Sequence, residues 1–158
     1  MTRPSPHHRV IAKEPKALLA DVSPTERVFV LLLRRWLDGP QGQSAIWSVL
    51  SREAGEARAH QFLQAFEGFL RAISAGQSRA LSRHASCCAL LGEDEALLAG
   101  MVEAAGRGDL KTAAAKAVPI LRETSRPAAV SRAKTLGLLI DTLDCHPVTG
   151  TWARATLH

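Results

Sequence analysis

A chain of 158 residues fits one domain and can bury roughly two-thirds of the surface its unfolded form exposes. Hydrophobic content of 46% against 22% charged residues is ordinary for a globular protein, and the longest apolar run, Val28 to Leu33, is far too short to cross a bilayer. The net charge of +5, with arginine outnumbering lysine fifteen to five, is spread along the chain, and no run of like charge reaches the length of a binding tail.

Three cysteines, an odd number, and no apolar leader of signal-peptide length predict a reducing, cytoplasmic compartment. The Ala/Arg-rich composition is associated with GC-rich bacterial genomes. Alanine and leucine abound, tyrosine is absent and β-branched residues seldom cluster, so the expected fold is all-α. No internal repeat or heptad run divides the chain. The reading is a single-domain, irregular bundle of about six or seven helices over residues 23–146. An extended or poorly ordered arm is expected over 1–22, where Pro4, Pro6 and Pro15 stand among basic residues, and an irregular tail over 147–158.

The first firm helix signal is Ser23-Pro24-Thr25-Glu26: serine at the N-cap, proline at the first helical position and a glutamate able to close a capping box. Val28, Phe29, Leu32, Leu33 and Trp36 then share a face, leaving Arg27, Arg34 and Arg35 on a narrow basic edge. Asp38-Gly39-Pro40 stops this helix. Gln41 to Gln43 read as a loop, Ser44 as the cap of a short helix with Ile46, Trp47 and Leu50, and Gly55 as a turn. From Ala59 to Ile73 the chain carries three of its four phenylalanines, Phe62, Phe66 and Phe69, on one helix face with Ile73. So large an aromatic stripe must lie under other helices.

Ser78 predicts a further helix with Leu81, His84 or Ala85, Cys88 and Leu91 inside, closed by Gly92 as a C′ glycine. Glu93-Asp94-Glu95 supplies negative charge to the next helix N-terminus, and Leu97, Leu98, Met101 and Ala105 form its stripe. Asp109 caps a helix with Leu110, Ala113, Ala114 and Ala117, which Pro119 must kink or break before Ile120 and Leu121. Pro127 opens a last long helix, with Ala129, Ala133, Leu136, Ile140 and Leu143 on its core face. Trp152 is a possible anchor for the tail.

No P-loop, G-x-G-x-x-G, H-E-x-x-H or G-x-S-x-G pattern occurs, so no residue is assigned to catalysis and a non-enzymatic interaction or regulatory protein is expected. Interface candidates are Phe29, Leu33, Trp36, Trp47, Arg34 and Arg35, because aromatic and arginine side chains are enriched at interface centres; a homodimer is one such outcome. A metal or thiol sensor would use His84, Cys87 and Cys88 with Cys145 and His146. His84 and Cys88 would share a helix face, and the end of the last helix would complete a zinc or iron site. Packed, reduced cysteines are the plainer alternative. A helix-turn-helix-like DNA-binding regulator would use Arg52, Arg58, His60 and Arg71 around the Gly55 turn. Gln61 falls where an apolar anchor belongs, and the phenylalanine stripe argues for burial of that helix.

Overall fold

The computed structural model describes residues 17–143, and among them every regular element is helical. Six α-helices follow one another: α1 (Pro24–Leu37), α2 (Pro40–Ala54), α3 (Glu56–Gly76), α4 (Glu93–Gly106), α5 (Leu110–Ala117) and α6 (Arg126–Thr142). The molecule is an all-α bundle. Among the described residues, β-type pairing is limited to two isolated antiparallel bridges, Leu18 with Leu90 and Gln77 with Leu121.

The start of α1 is built as its sequence implies. Ser23 accepts from the Glu26 amide, Glu26 accepts from the Ser23 amide, and Pro24 occupies the first turn. A glycine junction follows. Gly39 (φ 96°, ψ −161°) reverses the chain so tightly that α2 begins at Pro40, and the segment 41–43 expected as a loop is already helical. Gly55 (φ 85°, ψ 155°) does the same between α2 and α3, leaving one residue between the two helices.

The core follows the aromatic stripe. Phe62, Phe66, Phe69 and Ile73 of α3 are buried, and Phe29 of α1 meets Phe66 and Phe69 edge-on at ring separations of 6.1 and 5.7 Å. Trp36 adds a third edge-on contact to Phe66 at 5.6 Å. Such pairs contribute about 0.5–1.5 kcal/mol each beyond the area they bury. The other half of the core lies where α4 crosses α6. There Gly106 and Gly137 bring the two backbones into contact, and a Cβ on Gly137 would lie 2.5 Å from the Val102 carbonyl oxygen. The α5 helix ends at Ala117, ahead of Pro119, and Ile120 and Leu121 run on as a turn and bridge residue rather than as helix. An Oγ1–Oδ1 bond of 2.9 Å from Thr25 to Asp141 ties the beginning of α1 to the end of α6.

Two expectations are corrected between Gln77 and Gly92. The segment is not a helix but a sixteen-residue loop, and Gly92 (φ −75°) is the N-cap of α4 rather than the C′ residue of a preceding helix. Both loop ends are fastened by backbone bonds. Ser78 donates to the Ile120 carbonyl and Arg122 donates to Gly76 at one end; Leu19 donates to Ala89 and Leu91 to Ala17 at the other. Residues 17–22 therefore lie on the bundle, with a single 3-10 turn at Leu19–Asp21.

Candidate interaction surface

The loop holds its shape through two carboxylates and one guanidinium. Arg34 of α1 is completely buried. Its Nε and Nη2 donate to the two carboxylate oxygens of Glu95 at 2.8 and 2.7 Å, while Nη1 and Nη2 donate to the carbonyls of Cys88 and Leu90 at 2.5 and 2.7 Å. Glu95 in turn accepts from the amides of Gly92 and His84. Burial alone would push its pKa up; the Arg34 hydrogen bonds and the Gly92 and His84 amides outweigh that and hold the carboxyl below its usual range. On the preceding residue, Asp94 accepts from the Arg79 guanidinium at 2.6 and 3.0 Å and from both the amide and the hydroxyl of Ser82. The Arg79 hydrogen bond lowers its pKa to about 2.

These contacts explain why the chain from Ser78 to Leu91 is not helical. Its amides at Ser82 and His84 bond to carboxylates, and its carbonyls at Cys88 and Leu90 bond to Arg34. A helix would need the same groups for its own i→i−4 ladder, and the buried charges take them first. Outside the buried knot, the loop is tied to the corner between α1 and α2. Arg83 donates to the Leu37 carbonyl and lies 3.7 Å from the Asp38 carboxylate, and the Ser86 hydroxyl donates to Asp38 at 2.5 Å. The result is one continuous surface of Leu37 (46% exposed), Asp38, Arg83, Ser86 and the exposed thiol of Cys87.

The residues proposed from sequence are distributed unevenly over this framework. Phe29, Leu33 and Arg34 are covered by the chain's own helices, Trp36 and Arg35 are half-buried, and Trp47 is exposed. Arg34 is thus not on a solvent-facing basic edge as expected; the carboxylate of Glu95, 61 residues later, draws it inside. His84 and Cys88 lie in the loop rather than on one helix turn, so the i,i+4 spacing no longer places them together, and Cys145 and His146 lie outside the described residues. Among the described residues no three His, Cys, Asp or Glu side chains converge on a metal-sized centre. Arg52, Arg58, His60 and Arg71 are all exposed, Arg52 beside Glu53 on α2 and the others on α3.

Sequence reasoning missed Glu95 and Asp94 as specific acceptors, taking them only as favourable charge at a helix start. It also missed Arg132, which lies across Gly68 and shares with Arg71 a groove between α3 and α6. The spacing of Gly68, Ala72 and Ala75 along one edge of the phenylalanine helix was the available signal for that concavity.

Among the described residues, the fold and its clamped loop define a class, an all-α bundle of six helices carrying a long loop over one end of α4. Compared with family models, curated proteins and solved structures, the chain gives no match. Among the described residues no helix is long and apolar enough to cross a membrane.

Proposed function

We propose that this chain is a non-enzymatic bacterial cytoplasmic protein, interacting or regulatory, that works through protein–protein contacts made by the 77–92 loop and the adjoining corner of α1 and α2. The observation that carries the reading is the buried Arg34–Glu95 pair. Loops longer than about 12–15 residues without secondary structure are uncommon in compact domains and mostly functional. Here a desolvated ion pair, costly to bury, holds such a loop in one conformation and presents Leu37, Arg83 and Cys87 to solvent. A pre-ordered surface loses little conformational entropy on binding.

A second copy of the chain is the first partner to test. Sedimentation velocity over a range of protein concentrations is expected to show a concentration-dependent rise toward the mass of two chains. Leu37→Asp should weaken association at least about tenfold by placing a charge at the centre of the contact. A monomer at every accessible concentration overturns the homodimer.

A second reading, a metal or thiol sensor, is favoured by the exposure of Cys87 next to half-buried Cys88. It predicts stoichiometric zinc or iron in protein purified without chelator, lost in Cys88→Ala. Metal-free protein with unchanged melting removes it.

A further inference from the structure

The groove between α3 and α6 goes beyond this surface and is built from different elements. It encloses about 680 Å³ and is lined by Gln64, Glu67, Arg71 and Arg132 over a floor of Gly68, Ala72 and neighbouring alanines. Neither Arg71 nor Arg132 has an ion-pair partner among the described residues, although Glu67 stands on the same rim. The Arg132 guanidinium crosses the groove at Gly68, where the three atoms nearest to an added Cβ all belong to that side chain, Nη1 at 3.3 Å. Two guanidinium forks without carboxylates, above a floor of minimal side chains, leave room for a backbone flanked by acidic groups.

We infer that this groove binds an extended acidic peptide segment of a partner protein, Arg71 and Arg132 each taking a carboxylate. Scale supports this occupant. The floor from Gln64 to Ala75 spans roughly 17 Å of helix, enough for about five residues of extended chain. Carboxylates on alternate residues of such a chain lie about 7 Å apart and point to the same side. The planar guanidinium matches a carboxylate with two parallel hydrogen bonds. Glu67 disfavours a nucleic-acid backbone, which brings a phosphate at every unit and cannot avoid that carboxylate, whereas a peptide can place a small neutral residue there. Gln64 offers an amide to the peptide's own backbone.

The test is fluorescence anisotropy at low salt with a labelled (Glu-Ala)4 peptide, and in parallel a labelled DNA duplex. Binding of the peptide should weaken at least about tenfold in Arg71→Gln/Arg132→Gln and also in Gly68→Leu, which fills the floor and crowds the Arg132 guanidinium without changing the net charge. Lys111→Gln/Lys134→Gln removes the same net charge from exposed positions outside the groove lining and should bind like the wild type. Far-UV circular dichroism and melting confirm that each variant is folded. Absence of peptide binding by the wild type overturns the inference, as does an equal loss in both charge doubles or wild-type affinity in Gly68→Leu. Tighter binding of the duplex with the same dependence on Arg71 and Arg132 also overturns it, assigning the groove to nucleic acid. None of these outcomes alters the oligomeric state measured for the loop surface.

Discussion

Arg34 and Glu95 are where a single pair of residues decides the most. Removing either ion from water costs several kcal/mol, and the geometry offsets this because all three guanidinium nitrogens and both carboxylate oxygens find partners. The guanidinium has the Glu95 carboxylate and two carbonyls; the carboxylate has the guanidinium and two amides. Glu95→Ala should therefore destabilise the protein by about 3–5 kcal/mol in urea unfolding, since it strands a buried cation and two amides. A loss below about 1 kcal/mol would contradict a desolvated pair. Asp94 gives the pH dependence. Its folded pKa of about 2 lies below the ordinary 3.8, so the unfolded chain takes up a proton first as the solution is acidified. Its stabilisation is complete above about pH 5 and is lost as pH falls through 4 toward 2. Asp94→Asn should flatten that part of a stability–pH curve, and an unchanged acid limb would contradict the assignment. The Asp94–Arg79 pair was hidden from sequence for the same reason as Arg34–Glu95: the partners are 15 and 61 residues apart, and periodicity sees only neighbours on one helix.

The elements were legible where local chemistry decides them. The Ser23 capping box, the phenylalanine stripe, the acidic start of α4, the Asp109 cap and the break at Pro119 all stand where spacing and propensity place them. Elements set by long-range contacts were not. Leu81, His84, Cys88 and Leu91 have helical spacing, yet the His84 amide and the Cys88 carbonyl are taken by side chains on α4 and α1 and the Leu91 amide by the Ala17 carbonyl, and tertiary hydrogen bonds override the pattern. The glycines make the opposite point, since two with similar composition roles respond to different forces. At Gly55 a Cβ would meet nothing within 4 Å, but φ of 85° with ψ of 155° is nearly glycine-only territory, so Gly55→Ala should cost about 1–3 kcal/mol. At Gly137 the backbone is helical and alanine would gain about 0.5–1 kcal/mol in propensity, yet the α4 backbone stands 2.5–3.1 Å from the added Cβ. Overpacking of about 1–3 kcal/mol or more wins there, and Gly137→Ala should lower the melting temperature. A rise in melting temperature would show that α4 and α6 can part at little cost.

At the scale of the molecule, the all-α architecture was readable because a stripe of Phe62, Phe66 and Phe69 cannot stay in water, and Phe29 and Trp36 do cover it. The surfaces were less so. A first helix so rich in apolar residues fits either the centre of the bundle or half of an interface, and α2, α3, α4 and α6 all pack on or beside it and bury Phe29 and Leu33. What remains outside is a corner, a loop and a groove, each assembled from residues far apart in sequence. The loop is the part on which the functional proposal stands, and its order is directly measurable. Hydrogen–deuterium exchange at the amides of Ser82, His84, Leu91 and Gly92 should be slowed about 100-fold or more relative to a free chain in the wild type, and should approach free-chain rates in Glu95→Gln while α3 stays protected. Free-chain exchange at those amides in the wild-type protein would contradict a loop clamped by Arg34 and Glu95.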